Sequence, residues 1–159
     1  MLKIGKLAPD FELLNQDGKP VRLSSFRGQR VVIFFFPKAN EFSAGCIAQA
    51  CSFRNEFDEI KAEKAVVLGI SHDSVAELNA WRKNHRLQYD LLSDPGFKVH
   101  EEWGTKMSLF GTVTLPFTNR SYFVIETDGT IADMQVGVNP MNNARKALEA
   151  LRRLNAAAV

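Results

Sequence analysis

Two cysteines, Cys46 and Cys51, lie five positions apart in the stretch FFFPKANEFSAGCIAQACSFR, and the chain has no others. Sulfurs this close suit thiol redox chemistry, suit metal ligation, or merely fill one helix face. Apolar positions Ile47, Ala50, Cys51, Phe53, Phe57 and Ile60 recur at helical spacing, which predicts a helix from Ser43 to about Ile60. Cys46 then falls in the first turn. Unpaired backbone N–H groups converge there, and the positive end of the helix dipole favours a thiolate, the nucleophilic form of cysteine. Cys51 lies deeper and lacks that help, so the two sulfurs should differ in role.

Residues five apart on an α-helix are separated by about 7.5 Å along the axis and about 140° around it, hence by roughly 8 to 9 Å between Cα atoms. A disulfide needs about 4.4 to 6.8 Å. If Cys46 and Cys51 bond to each other, the first turn must unwind, and oxidation becomes a conformational switch. The metal reading is weaker, because structural zinc takes four ligands and the remaining candidates, His72, His85 and His100, are scattered over separate elements. A thioredoxin-type dithiol site has two residues between its cysteines, whereas four stand here. For Cys51 the plain alternative is a small apolar residue packed in a helix face.

The elements that must position these sulfurs are legible on either side. RVVIFFFP is apolar on both alternations, as a central strand covered on both faces should be, and Pro37 ends it. FELLNQDGKPVRLSSF carries a turn pair, Asp17-Gly18, between two apolar runs and predicts an N-terminal β-hairpin. KAVVLGIS is a second buried strand. Ser74 to Glu77 matches a capping box opening a helix through Trp81 to about Asn84. YDLLSDP predicts a short strand, followed by a short helix from Pro95 to Trp103. Asp128-Gly129 joins two strands in RSYFVIETDGTIADMQVG, and a terminal amphipathic helix runs from about Pro140 to Ala156. The order predicts an α/β protein with a central mixed sheet and helices on both faces, a single domain over residues 1–159, with a ligand site beyond the C-terminal ends of the parallel strands.

Composition limits the partners. With 159 residues, 45% hydrophobic, 24% charged and a net charge of +2, the chain reads as an ordinary globular domain with no basic run for nucleic acid. The start MLKIGKLAPDFELL lacks a signal-peptide pattern, and the apolar run Val31 to Phe36 is far shorter than the roughly 20 residues of a membrane span. A cytoplasmic, membrane-free protein is expected, where closely spaced thiols are more often catalytic or metal-binding than structural.

The blocks GKLAPDFELLNQDGKPVRLSSFRGQRVVIFFFPKA, GCIAQACSFRNEF, VVLGISHDS, YDLLSDP and RSYFVIETDGTI follow, in order and spacing, the pattern of a known family. Over nearly its whole length the chain resembles the peroxiredoxins, specifically the bacterioferritin comigratory protein or peroxiredoxin Q group. The resemblance implies a thioredoxin-like fold and thiol-dependent reduction of hydrogen peroxide and organic hydroperoxides without metal, flavin or haem. By position, Cys46 matches the peroxidatic nucleophile that becomes a sulfenic acid, and Cys51 the resolving cysteine that condenses with it as an intramolecular disulfide. Arg120 matches the active-site cation, whose permanent charge suits a thiolate and the peroxide oxygens. The family motif P-x-x-x-T-x-x-C reads P-x-x-x-x-x-S-x-x-C here: Ser43 replaces the threonine, and two extra residues separate it from Pro37. Pro37, Gly45 and Phe42 are expected at the substrate side of the site. Thioredoxin or a similar dithiol protein is the expected reductant, with the chain a monomer or weak homodimer. The rival reading is a peroxide-sensing switch that signals to a partner through the same disulfide.

Overall fold

The computed structural model describes residues 2–39, 44–109 and 113–157. Its strands are β1 (Glu12–Asn15), β2 (Pro20–Arg22), β3 (Arg30–Phe35), β4 (Ala65–Ser71), β5 (Asp90–Ser93), β6 (Lys106–Leu109), β7 (Val113–Thr118), β8 (Ser121–Ile125) and β9 (Ile131–Val136). The helices are α1 (Ala44–Asn55), α2 (Phe57–Ala62), α3 (Val75–Asn84), α4 (Lys98–Glu102) and α5 (Asn143–Ala157), with a 3-10 turn at Leu23–Phe26. Seven strands form one sheet in the order β2-β1-β5-β4-β3-β8-β9, while β6 and β7 pair separately. The contacts β3–β4 and β4–β5 are parallel; β8 runs antiparallel to β3, which makes the sheet mixed as expected. The N-terminal hairpin pairs β1 with β2.

β3 is apolar on both alternations because it is covered on both sides. Val32, Phe34 and Phe36 face a core completed by Ala50 and Phe53 of α1, Ile60 of α2, Leu78 and Trp81 of α3, and Ala147, Leu148 and Leu151 of α5. Val31, Ile33 and Phe35 face the other core, with Leu23, Val99, Trp103 and Phe123. Trp81 and Trp103 are packing residues, fully enclosed in opposite cores. Gly69 of β4 makes the first core possible: a Cβ there would stand 2.8 Å from Phe34 Cζ and 2.9 Å from Leu91 Cδ2. The vacated space lets the Phe34 ring stack on Phe53 of α1, centroids 4.3 Å apart and planes 9° apart.

Three expectations need correction. The helix expected from Ser43 to Ile60 is two helices: the backbone departs from helical values at Glu56 (φ −94°, ψ 2°), and α2 then presents Phe57 to Tyr89 at 6.3 Å. The short helix expected from Pro95 begins at Lys98, because Phe97 takes a left-handed φ of 59° and stacks on His72 at 4.7 Å. No element was expected between Trp103 and Arg120, yet β6 and β7 form a hairpin there. The Ser74–Glu77 capping box is present in both directions, with Ser74 Oγ accepting from the Glu77 N–H and Glu77 Oε1 from the Ser74 N–H.

Candidate active site

Strand register brings the site together. Phe35 of β3 lies opposite Ser121 of β8, so Arg120, one residue before β8, stands beside the end of β3 where the chain leaves toward α1. Its backbone is fixed from the other side: the Arg120 carbonyl accepts from the N–H groups of Gly137 at 2.7 Å and Val138 at 3.0 Å. The guanidinium then reaches over the first turn of α1. Arg120 Nη2 donates to Cys46 Sγ at 3.4 Å, and Nη1 donates to Gln49 Oε1 at 3.1 Å. Gln49 Nε2 donates in turn to the Phe35 carbonyl at 3.1 Å. A cation, an amide and the last carbonyl of β3 thus form one hydrogen-bonded chain that fixes the first turn of α1 to the sheet.

Cys46 is fully buried, as is Gln49, and both cysteines are free thiols. The low dielectric around such a group strengthens the guanidinium's hold on it compared with water. Gly45 is part of the same arrangement: a Cβ at this position would lie 2.7 Å from Arg120 Nη2 and 3.1 Å from its Cζ. Its bare backbone lets the guanidinium lie against the helix start. Cys51 sits one and a half turns further along α1 and is half-buried. Pro37 is half-buried just after β3. Ser43 and Phe42, both expected at the site, lie outside the described residues.

The loop leaving β3 has an anchor of its own. Asp73, 2% exposed, accepts the Ala39 N–H at 2.6 Å and the Ser71 hydroxyl at 2.7 Å through the same carboxylate oxygen. Its backbone carbonyl accepts from Ser93 Oγ at 2.5 Å, so the ends of β4 and β5 and the chain after Pro37 are tied at one residue. Neither Asp73 nor Gln49 was singled out from the sequence. For Gln49 a signal existed: it lies three residues after Cys46, on the same helix face, in a row otherwise apolar. For Asp73 there was none, since the loop residue that it anchors, Ala39, lies 34 residues away.

The arrangement offers a sulfur nucleophile at a helix N-terminus, a permanent cation against it, and a second sulfur in the same helix. Comparison with known proteins points the same way. The AhpC/TSA family model matches residues 4–134. The chain is 44% identical over 127 residues to "Peroxiredoxin Q, chloroplastic" of Gentiana triflora, a match covering 80% of this chain and 56% of that protein. The chain therefore spans little more than half the length of this plant relative. To "Peroxiredoxin Bcp" of Escherichia coli (strain K12) it is 42% identical over 133 residues, covering 82% of this chain and 83% of the other. The crystal structure of peroxidoxin BcpB from Mycobacterium tuberculosis superposes with a TM-score of 0.86 at 35% identity, covering 97% of this chain and 99% of that one. The fold is accordingly the thioredoxin-like fold of peroxiredoxins. With matches of this extent and identity, the chain belongs to the AhpC/TSA family, alongside peroxiredoxin Q and Bcp.

Proposed function

We propose that the protein is a thiol peroxidase that reduces hydrogen peroxide and organic hydroperoxides through Cys46. The observation that carries this reading is the 3.4 Å contact between Arg120 Nη2 and Cys46 Sγ at the start of α1. The helix N-terminus and the guanidinium both place positive charge against that sulfur. That sulfur attacks one peroxide oxygen: an S–O bond forms, the O–O bond breaks, and the second oxygen leaves as hydroxide or alkoxide and takes up a proton. Negative charge grows on the departing oxygen during this step. A guanidinium already held by Gln49, on a backbone whose carbonyl is fixed by the loop after β9, stabilises that charge without reorganising, which is where preorganised donors gain their advantage. Ser43, by its position in the sequence, supplies a further hydroxyl donor to the peroxide.

Cys51 then resolves the sulfenic acid on Cys46, and thioredoxin or a similar dithiol protein reduces the resulting disulfide. Both cysteines lie within the continuous α1, so the helix must open for this step. The test is mass spectrometry after one equivalent of hydrogen peroxide. A Cys46–Cys51 peptide lighter by two hydrogens is expected, with no turnover in Cys46→Ser and a single turnover in Cys51→Ser when thioredoxin is the reductant. A Cys46→Ser variant with full activity would overturn the assignment, and undiminished cycling of Cys51→Ser would reduce Cys51 to a packing residue. Steady-state turnover separates a peroxidase from a sensor, which needs oxidation but no rapid recycling.

A further inference from the structure

The two ends of α1 are held by different groups. The Cys46 end is fixed by Arg120 and Gln49. The Cys51 end is fixed by the segment between α3 and β5. Tyr89 Oη donates to the Ala50 carbonyl at 2.7 Å, and Arg54 Nη1 donates to the His85 carbonyl at 2.8 Å. Tyr89 is 3% exposed and its ring is clamped edge-on against Phe34 at 5.6 Å, with Phe57 on another side at 6.3 Å. Burial, and after it the electrostatic influence of Cys51, push the Tyr89 phenol well above its ordinary range, so the donated proton stays in place.

The acceptor's position matters more than the bond's length. The Ala50 carbonyl belongs to the peptide unit that carries the Cys51 nitrogen. Any reorientation of the Cys51 backbone toward Cys46 swings that carbonyl away from Tyr89. In a continuous helix the same oxygen also serves the amide four residues on, so helix and phenol hold it together.

We propose that Tyr89 is a positioning residue that latches the Cys51 end of α1, setting how fast the helix opens for disulfide formation and so how long the oxidised Cys46 stays exposed to a second peroxide. The inference rests on the reading of Cys51 as the resolving cysteine. In the resolving step the Cys51 thiolate attacks the Cys46 sulfenic sulfur: the S–S bond forms, the S–O bond breaks, and hydroxide leaves and takes up a proton to become water. In the competing step a second peroxide molecule oxidises the sulfenate to sulfinate and is itself reduced to water or alcohol. Holding the helix closed favours the second step over the first.

Tyr89→Phe removes the hydroxyl and keeps the ring. Rapid-quench alkylation followed by mass spectrometry resolves thiol, sulfenic acid, disulfide and sulfinic acid in one time course with hydrogen peroxide. The second-order rate of Cys46 oxidation should stay within about twofold, while disulfide formation accelerates about fivefold, the effect of one buried neutral hydrogen bond. The peroxide concentration that drives half the molecules to sulfinate should rise by the same factor. Arg54→Gln, which breaks the other tie at this end, should move the same ratio in the same direction. An unchanged disulfide rate in Tyr89→Phe overturns the latch, as does a parallel fall of both rates, the mark of a mere packing defect. Absence of any Cys46–Cys51 disulfide in the parent protein would overturn the underlying reading instead, a result distinct from either.

Discussion

Two buried polar clusters flank β3 on opposite faces of the sheet, and Phe35 touches both. Its carbonyl accepts from Gln49 at 3.1 Å, and its ring packs edge-on against the His100 imidazole at 5.0 Å. In the first cluster a guanidinium divides its donors between an amide oxygen and the Cys46 sulfur. In the second, Asp94 Oδ2 accepts both the His100 N–H at 2.9 Å and the His100 Nδ1 proton at 2.7 Å. The histidine cluster binds two parts of one residue into the start of α4, an arrangement that holds the fold. The cysteine cluster aims a cation at an atom able to change its bonding, an arrangement that under the proposed function serves a reaction. Burial alone does not separate the two, since Cys46 and His100 are both fully enclosed. What separates them is whether the group at the centre can leave its partner for another.

The comparison can be broken by exchanging the effects. Arg120→Met should lower kcat/KM for hydrogen peroxide by about a hundredfold or more, the range for losing a preorganised donor to developing negative charge. Denaturant unfolding should register this change far less. An Arg120→Met protein with parent-like kcat/KM would put the cation among the structural groups.

Asp94→Asn should do the reverse, costing about 2 kcal/mol of stability through lost charge-assisted hydrogen bonds while peroxide turnover stays within a few-fold. A pH series sharpens this. Burial pushes the Asp94 carboxyl up, but hydrogen bonds from the His100 side chain and backbone and the His100 charge together outweigh it and hold the carboxyl below its usual range. A depressed folded value contributes stability that is complete above the ordinary carboxylate value of about 3.9 and is lost as pH falls through the lower folded value. The stability gap between parent and Asp94→Asn should therefore narrow below about pH 4, and denaturant melts across that range will show it. The smallest effect is expected at Gln49. Gln49→Met keeps the volume but releases the guanidinium, and a loss of about tenfold in kcat/KM, close to one hydrogen bond's worth, should appear with KM carrying little of it.

How far the sequence revealed these clusters follows from how local their causes are. Cys46 at a helix start, the doubly apolar β3 and the Ser74 capping box depend on neighbours within one turn or one strand, and all were readable. Arg120 was found through resemblance, because nothing near it in the chain marks it; the antiparallel register of β8 on β3 is what carries it 74 residues across to Cys46. The β6–β7 hairpin escaped notice because Pro116 sits inside its second run and Gly111 just before it, signals that argue against a strand. A two-stranded ribbon outside the main sheet consists only of edges, where proline is tolerated. The Tyr89–Ala50 bond lies between residues 39 apart whose types give no hint of each other. Asp94 and His100 are close in sequence, yet their pairing depends on the left-handed turn at Phe97, which a bulky residue rarely adopts.

Gly69 carries a consequence for the Cys46 sulfur, which it never touches. The notch its missing methyl leaves in β4 seats the Phe34 ring, and that ring is the surface on which Phe53 rests. The clearance between sheet and helix is thus gauged by the thickness of two stacked rings, and the elevation of Cys46 beneath the guanidinium is inherited from it. A single carbon atom added there would act as a shim under the lever, felt at its far end.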